Sequence, residues 1–215
     1  MNYDLYIITD QRISHGKSHL EVAEAALAGG ATVIQFRDKE MKDSEAIVFC
    51  REIYKLTKKK GVSFIVNDRV EVAKAVDADG VHLGQEDMSF SLARKILGKE
   101  KIIGISVETV KQAIKAVEGG ADYLGIGSIY PTATKPDAGK ALGIARLKEI
   151  RESVNIPVVA IGGINEDNLE EVLRAGADGV AVISAVVGAL DVTQACRKLK
   201  NKIDYIKKKL SRQNR

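Results

Sequence analysis

The sequence predicts an α/β fold, a single (β/α)8 barrel of the TIM type, and three observations carry that expectation. One phrase recurs along the chain: an amphipathic stretch, a glycine or small residue, then Ala and Asp leading into a short apolar run. It stands at Gly29, Gly30, Ala31, Thr32, Val33, Ile34; at Ala78, Asp79, Gly80, Val81; at Gly119, Gly120, Ala121, Asp122, Tyr123, Leu124; and at Gly176, Ala177, Asp178, Gly179, Val180. Glycine suits the left-handed position that ends a helix, and the runs that follow are too uniformly apolar to have a wet face. Strand-like runs alternate with helical patterns eight times in 215 residues, which implies right-handed βαβ crossovers and a parallel sheet. Eight units in this length favour a closed barrel over an open doubly wound sheet.

In chain order, strands are expected at 5–9, 32–37, 63–67, 80–83, 102–106, 123–127, 158–161 and 179–184. Helical patterns follow each one. The clearest cover 18–27, 44–59 and 165–175, the last opened by Asn165 and Asp167 as capping signals. Residues 1–215 read as one domain without a linker, closing on a basic helix and tail at about 191–215. There Lys198, Lys200, Lys202, Lys207, Lys208, Lys209, Arg212 and Arg215 crowd together. A solvated last helix with a frayed end accounts for them better than a nucleic-acid or membrane contact.

Lys and Arg total 33 against 29 Asp and Glu, and a net charge of +4 is too small to mark a nucleic-acid binder. Cys50 and Cys196 lie in helix-patterned segments without metal-ligand spacing, so reduced, packed thiols are expected. The longest uncharged apolar stretch, 179–190, is too short to span a bilayer. The chain therefore reads as a soluble cytoplasmic protein acting on small molecules, with neither nucleic acid nor membrane as partner. It leaves the oligomeric state open, a homo-oligomer included.

Barrels carry their chemistry at the C-terminal ends of the strands, and here those ends are polar. Strand six runs through Gly125, Gly127 and Ser128 to Pro131, Thr132, Ala133, Thr134 and Lys135, an order suited to closing over a phosphate. Strand two ends in Gln35, Arg37 and Lys39, strand three in Asn67, Asp68 and Arg69, strand four in Gly84, Gln85, Glu86 and Asp87, and strand five in Ser106 and Thr109. Arg37, Lys39 and Lys135 would converge on one highly charged anion, for which a diphosphate is the natural size. Asp68 and Asp87 beside it suggest Mg²⁺, an ion usually held by one or two carboxylates with phosphates and waters. The competing account pairs Arg37 with Asp68 or Asp87 as buried ion pairs and leaves Asp38 or Glu40 to solvate a loop. Five charged residues on one rim favour a site; Arg69 and Glu86 read as structural or supporting groups.

A zinc centre is disfavoured, because His15, His19 and His82 have no ligand spacing with either cysteine. Between Val81 and Leu83, His82 reads as a packed histidine near the barrel wall. Gly162 and Gly163 after strand seven, with Ile183 and Ser184 leading into a short helix, form a second anion site of the kind that takes a phosphate monoester. The sequence shows no Ser/His/Asp or Cys/His arrangement for nucleophilic catalysis.

As a set, these residues resemble the thiamine phosphate synthase family. The motifs are Gln35 to Lys39; Asn67, Asp68, Arg69; Asp79 to Asp87; Gly104 to Ser106; Thr132 to Lys135; Ala160 to Ile164; and Val182 to Ala185, spread from Ile7 to about Gly188. Phe36 stands where the family more often has leucine, and Ser128 where it often has proline. The resemblance implies an enzyme that joins 4-amino-2-methyl-5-(diphosphooxymethyl)pyrimidine to a thiazole phosphate, releasing diphosphate with Mg²⁺ present. It further implies that Gln35, Arg37, Lys39, Asn67, Ser106 and Lys135 hold the pyrimidine diphosphate and that Asp68 and Asp87 bind Mg²⁺. Thr132, Thr134, Gly163, Ile183 and Ser184 would hold the thiazole phosphate. A related thiazole tautomerase, or a barrel that binds thiamine precursors without catalysis, are the alternatives. The combined acidic and basic set argues against both.

Overall fold

Eight parallel strands close into a barrel in the order in which they occur in the chain. The computed structural model describes residues 1–134 and 139–213. The strands are β1 (Leu5–Ile8), β2 (Val33–Phe36), β3 (Ser63–Asn67), β4 (Gly80–Leu83), β5 (Ile102–Val107), β6 (Tyr123–Ile126), β7 (Val158–Ile161) and β8 (Gly179–Val182). The seam closes where β1 pairs with β8, Tyr6 opposite Ala181. All eight expected strands are present. The last stops two residues early, because Ser184 already begins a helix.

Alternate residues of each strand enter two different cores. Leu5, Ile7, Ile34, Phe36, Phe64, Val66, Val81 and Leu83 point outward and are buried beneath the helices. Tyr6, Ile8, Val33, Ile65, Tyr123, Val159 and Ala181 point inward and pack together inside the barrel. Both faces are dry, which is why the strands read as unbroken apolar runs.

The helices are α1 (His19–Ala28), α2 (Asp43–Lys60), α3 (Val70–Val76), α4 (Phe90–Leu97), α5 (Val110–Gly119), α6 (Gly143–Glu152), α7 (Leu169–Arg174), α8 (Ser184–Val187) and α9 (Val192–Gln213). Ser18 and Glu21 form a capping box at the start of α1. After α3 the left-handed stop is Asp77, at φ 58°, a position that aspartate tolerates better than most residues. The α7 helix starts later than the sequence suggests. The Asn168 side chain accepts from the Asn165 amide (2.9 Å) and that of Asn165 from the Asp167 amide (2.8 Å), so a side-chain turn replaces the first helical turn.

The closing helix α9 buries Val192, Cys196, Leu199, Ile203 and Ile206 and packs against α1, α7 and α8. Its basic residues are not all solvated, as the sequence suggested. Lys207 pairs with Asp4 and donates to the Asp178 carbonyl, and Lys202 donates to that of Glu166. Asp4 and Asp178 immediately precede β1 and β8, so the Lys207 contacts lie at the N-terminal end of the barrel, whereas Glu166 lies in the connection after β7. Cys50 and Cys196 are buried free thiols, and burial pushes both up to about 12. Among the described residues, no helix is long and apolar enough to cross a membrane.

Candidate functional site

A cavity of about 360 Å³ opens at the C-terminal rim and is lined from all eight strand ends. Gln35, Arg37, Lys39, Asn67, Asp68, Asp87, Ser106, Thr132, Thr134, Gly163, Ile183 and Ser184 all face it. Lys135 lies outside the described residues.

At the β2 end, Arg37 is buried, with 4% of its side chain exposed, and its guanidinium lies 3.1 Å from Asp10, not against Asp68 or Asp87. Asp10 also accepts from the Arg12 guanidinium at 2.6 Å and from the Arg12 amide at 3.1 Å. Burial alone would raise the Asp10 carboxyl, but these hydrogen bonds and the charges of Arg12 and Arg37 outweigh it and hold the group below the ordinary range. The following turn is fixed rather than merely solvated. Asp38 accepts from the Glu40 and Met41 amides and bonds His19 Nε2 at 3.1 Å, while His19 Nδ1 lies 2.6 Å from Thr9 Oγ1. Burial holds His19 below its usual pKa despite Asp38, so at neutral pH this is a hydrogen bond from a neutral ring. Arg69 braces the same turn through the Asp38 and Met41 carbonyls (each 2.6 Å) and Asp43.

The two carboxylates sit on adjacent strand ends. Asp68 takes a left-handed backbone (φ 61°) and donates its amide to the His82 carbonyl at 2.9 Å. Asp87 accepts from the Gly84 amide at 2.7 Å, in a turn where a Cβ on residue 84 would lie 2.9 Å from the carboxylate. Among the described residues no group of three or more His, Cys, Asp or Glu side chains comes together. Glu86 lines the cavity as an exposed side chain.

The floor holds residues that the sequence reading missed. Gln35 Nε2 donates to the Tyr6 hydroxyl at 2.7 Å, and that hydroxyl lies 2.9 Å from the hydroxyl of Tyr123. His82 bridges onward, with Nδ1 2.9 Å from Tyr123 and Nε2 2.9 Å from Ser106 Oγ. His82, packed at the barrel wall as the sequence suggests, therefore points inward, because Val81 and Leu83 take the outward positions of β4. Ser106 and His82 also form the serine–histidine contact that their 24-residue separation hides in the sequence. Glycines make room for these rings: a Cβ on residue 104 would fall 2.1 Å from Tyr123, and one on residue 125 would fall 2.8 Å from His82. Polar or glycine residues at every second strand position were the available signal.

At the other side, the segment after β6 is laid against the one after β7. Ile129 and Tyr130 donate to the carbonyls of Ile161 and Gly162 at 2.9 and 3.0 Å, and Leu142 and Gly143 return to those of Ser128 and Ile129. Gly162 and Gly163 have φ of 100° and 64°, and a Cβ on residue 162 would lie 1.9 Å from Ser128 Oγ. Thr132 Oγ1 accepts from the Thr134 amide at 3.2 Å, drawing both hydroxyls into one turn over the cavity. The first amides of α8, which have no partner within the helix, begin at Ser184 on the same side.

The family model described as thiamine monophosphate synthase matches residues 5–186. The chain is 51% identical over 209 residues to the thiamine-phosphate synthase of Chloroflexus aurantiacus, covering 97% of this chain and 96% of that one. Against the thiamine-phosphate synthase of Moorella thermoacetica it is 52% identical over 198 residues, covering 92% and 94%. The solved thiamine phosphate pyrophosphorylase from Pyrococcus furiosus superposes with a TM-score of 0.89 at 47% identity, covering 95% of this chain and 97% of that one. A family match that runs from the first barrel strand into α8, and relatives matched along nearly their whole length, agree with the two-sided polar rim, and the chain belongs to the thiamine monophosphate synthase family.

Proposed function

We propose that the two sides of this cavity divide the synthesis of thiamine phosphate between them, one side taking the pyrimidine diphosphate and the other the thiazole phosphate. The observation that carries this division is that the charged β2 to β4 ends and the glycine and hydroxyl groups after β6 to β8 line a single cavity. Gln35, Asn67 and Ser106 would surround the pyrimidine, and Arg37 and Lys39 would meet its diphosphate. Lys135 joins them on the strength of its sequence motif alone. Thr132, Thr134, Gly163, Ile183 and Ser184 would receive the thiazole phosphate through hydroxyls and backbone amides.

Asp68 and Asp87 offer carboxylate oxygens from neighbouring strand ends, a donor set that suits Mg²⁺ completed by phosphate and water oxygens. When bound, that ion supplies charge neutralisation at the departing diphosphate. Arg37 and Lys39 add fixed positive charge where negative charge grows, and the Asp10 contact keeps the Arg37 guanidinium from reorganising as it does. The methylene C–O bond breaks with its electron pair leaving on the diphosphate. The aminopyrimidine ring spreads the positive charge, and the thiazole nitrogen lone pair forms the new C–N bond. The protein's part is to hold the two substrates in line and exclude water. Two buried free thiols, Cys50 and Cys196, suit the reducing cytoplasm as its place of action.

The test is purified protein with both substrates and Mg²⁺, following thiamine phosphate and diphosphate together. Product above a no-enzyme control is expected. Proton exchange into the thiazole phosphate without coupling would point to a tautomerase instead. Asp87→Ala is expected to lower turnover by roughly two orders of magnitude or more with an unchanged fold by circular dichroism. Wild-type turnover in that variant would show that the carboxylate does not serve the reaction.

A further inference from the structure

Proton counting along the cavity floor fixes a direction in its hydrogen-bond chain. The Gln35 amide nitrogen can only donate, so the Tyr6 oxygen accepts from it at 2.7 Å. Tyr6 is 1% exposed, and among the described residues its hydroxyl meets only Gln35 and Tyr123. Its single proton must therefore go to Tyr123; pointed anywhere else it would be a buried donor without an acceptor. Tyr123, equally buried, then has its own proton left for His82 Nδ1, 2.9 Å away. A neutral imidazole that accepts at Nδ1 carries its proton on Nε2, and Nε2 lies 2.9 Å from Ser106 Oγ. Ser106 thus accepts from His82. Among the described residues Oγ has no other hydrogen bond, which leaves its proton aimed at the cavity that Ser106 lines. Burial raises both phenols well above their ordinary pKa, so neither loses the proton that the count requires.

We infer that Tyr6, Tyr123 and His82 are positioning residues forming a one-way relay that makes Ser106 an obligate donor to an acceptor on the bound ligand, a phosphate oxygen or an unprotonated ring nitrogen. The serine–histidine contact is accordingly not a nucleophile with its base. A histidine that donates to the serine cannot take its proton, and the third member is a neutral tyrosine rather than a carboxylate. A ligand presenting only a donor at this point leaves the Ser106 proton without an acceptor and binds less tightly, so the relay acts as a specificity filter. This rests on the reading of the cavity as the pyrimidine-diphosphate end of a synthase site, although the polarity itself follows from the ligand-free geometry.

Nitrogen NMR of ¹⁵N-histidine-labelled, ligand-free protein, with the His82 signals identified by their loss in His82→Gln, reads the tautomer directly. Protonation at Nε2 is expected; a wild-type ring protonated at Nδ1 overturns the relay, whether or not any variant folds. In Tyr123→Phe the Nε2 preference should be lost and kcat/KM for the pyrimidine diphosphate should fall roughly tenfold. Ser106→Ala should fall by a similar factor, and the double variant should fall no further, because both changes remove the same oriented proton. Losses that multiply would show that Tyr123 does not act through Ser106. If the wild type makes no thiamine phosphate yet shows the Nε2 tautomer, the functional reading fails while the relay stands.

Discussion

Arg37 can keep its charge inside the rim only because Asp10, 3% exposed, lies 3.1 Å from its guanidinium. The sequence shows the cation and its place at a strand end but not its partner, and even the competing ion-pair account looks to Asp68 or Asp87, because Asp10 lies 27 residues upstream, just after β1. Asp10→Asn should cost about 3 kcal/mol in chemical denaturation, because it strands a buried positive charge. Arg37 would also lose its fixed orientation, so turnover should fall with it. The pH dependence has a definite sign. The folded state holds the Asp10 carboxyl below its unfolded value of about 4, so the unfolded chain takes up the proton first as pH falls. Stability from this group is complete above about pH 5 and is lost as pH drops through 4 toward the lower folded value. A denaturation series from pH 6 to pH 3 should show a shallower loss in Asp10→Asn than in wild type. Equal slopes would remove Asp10 from the account of Arg37.

Strands are the most legible elements of this chain and their facing is the least. Both faces are buried, so apolar runs mark β1 to β8 without saying which residues enter the barrel, and the reading of His82 as a packed histidine near the barrel wall names no face for the same reason. Glycine within the strands is the clue that discriminates. Gly104 lies opposite Tyr123 in the β5–β6 register, and a Cβ there would sit 2.1 Å from the phenol ring. Gly104→Ala should therefore destabilise the protein by about 1–3 kcal/mol and push Tyr123 off His82. Thermal melting with the His82 nitrogen spectrum would show both effects, and a wild-type melting temperature would refute the steric argument. The start of α7 was misread for a different reason. Asn165 and Asn168 satisfy backbone amides through their side chains, which competes with the helix that Asn165 was expected to cap.

Over the whole molecule, the C-terminal half of the closing helix is anchored at the end of the barrel opposite the cavity. The α9 helix packs its apolar stripe on α1, α7 and α8, and Lys207 ties it to Asp4 at the N-terminal end, away from the cavity. Ile203 is fully buried in that stripe, so Ile203→Ala should lose about 2–4 kcal/mol in denaturant while kcat and KM at 25 °C stay within twofold of wild type. A kinetic loss without a stability loss would contradict this separation. The sequence by itself determined the barrel, its eight strands and the polar residues at their ends, because period, glycine stops and strand-end chemistry are local properties written along the chain. Only the tertiary structure decided that Asp10 holds Arg37, that Tyr6, Tyr123 and His82 form the floor and that Gly162 and Gly163 seat the segment after β6. Closing the barrel brings side chains 20 to 120 residues apart within hydrogen-bond reach, and no spacing along a single strand records which of them will meet.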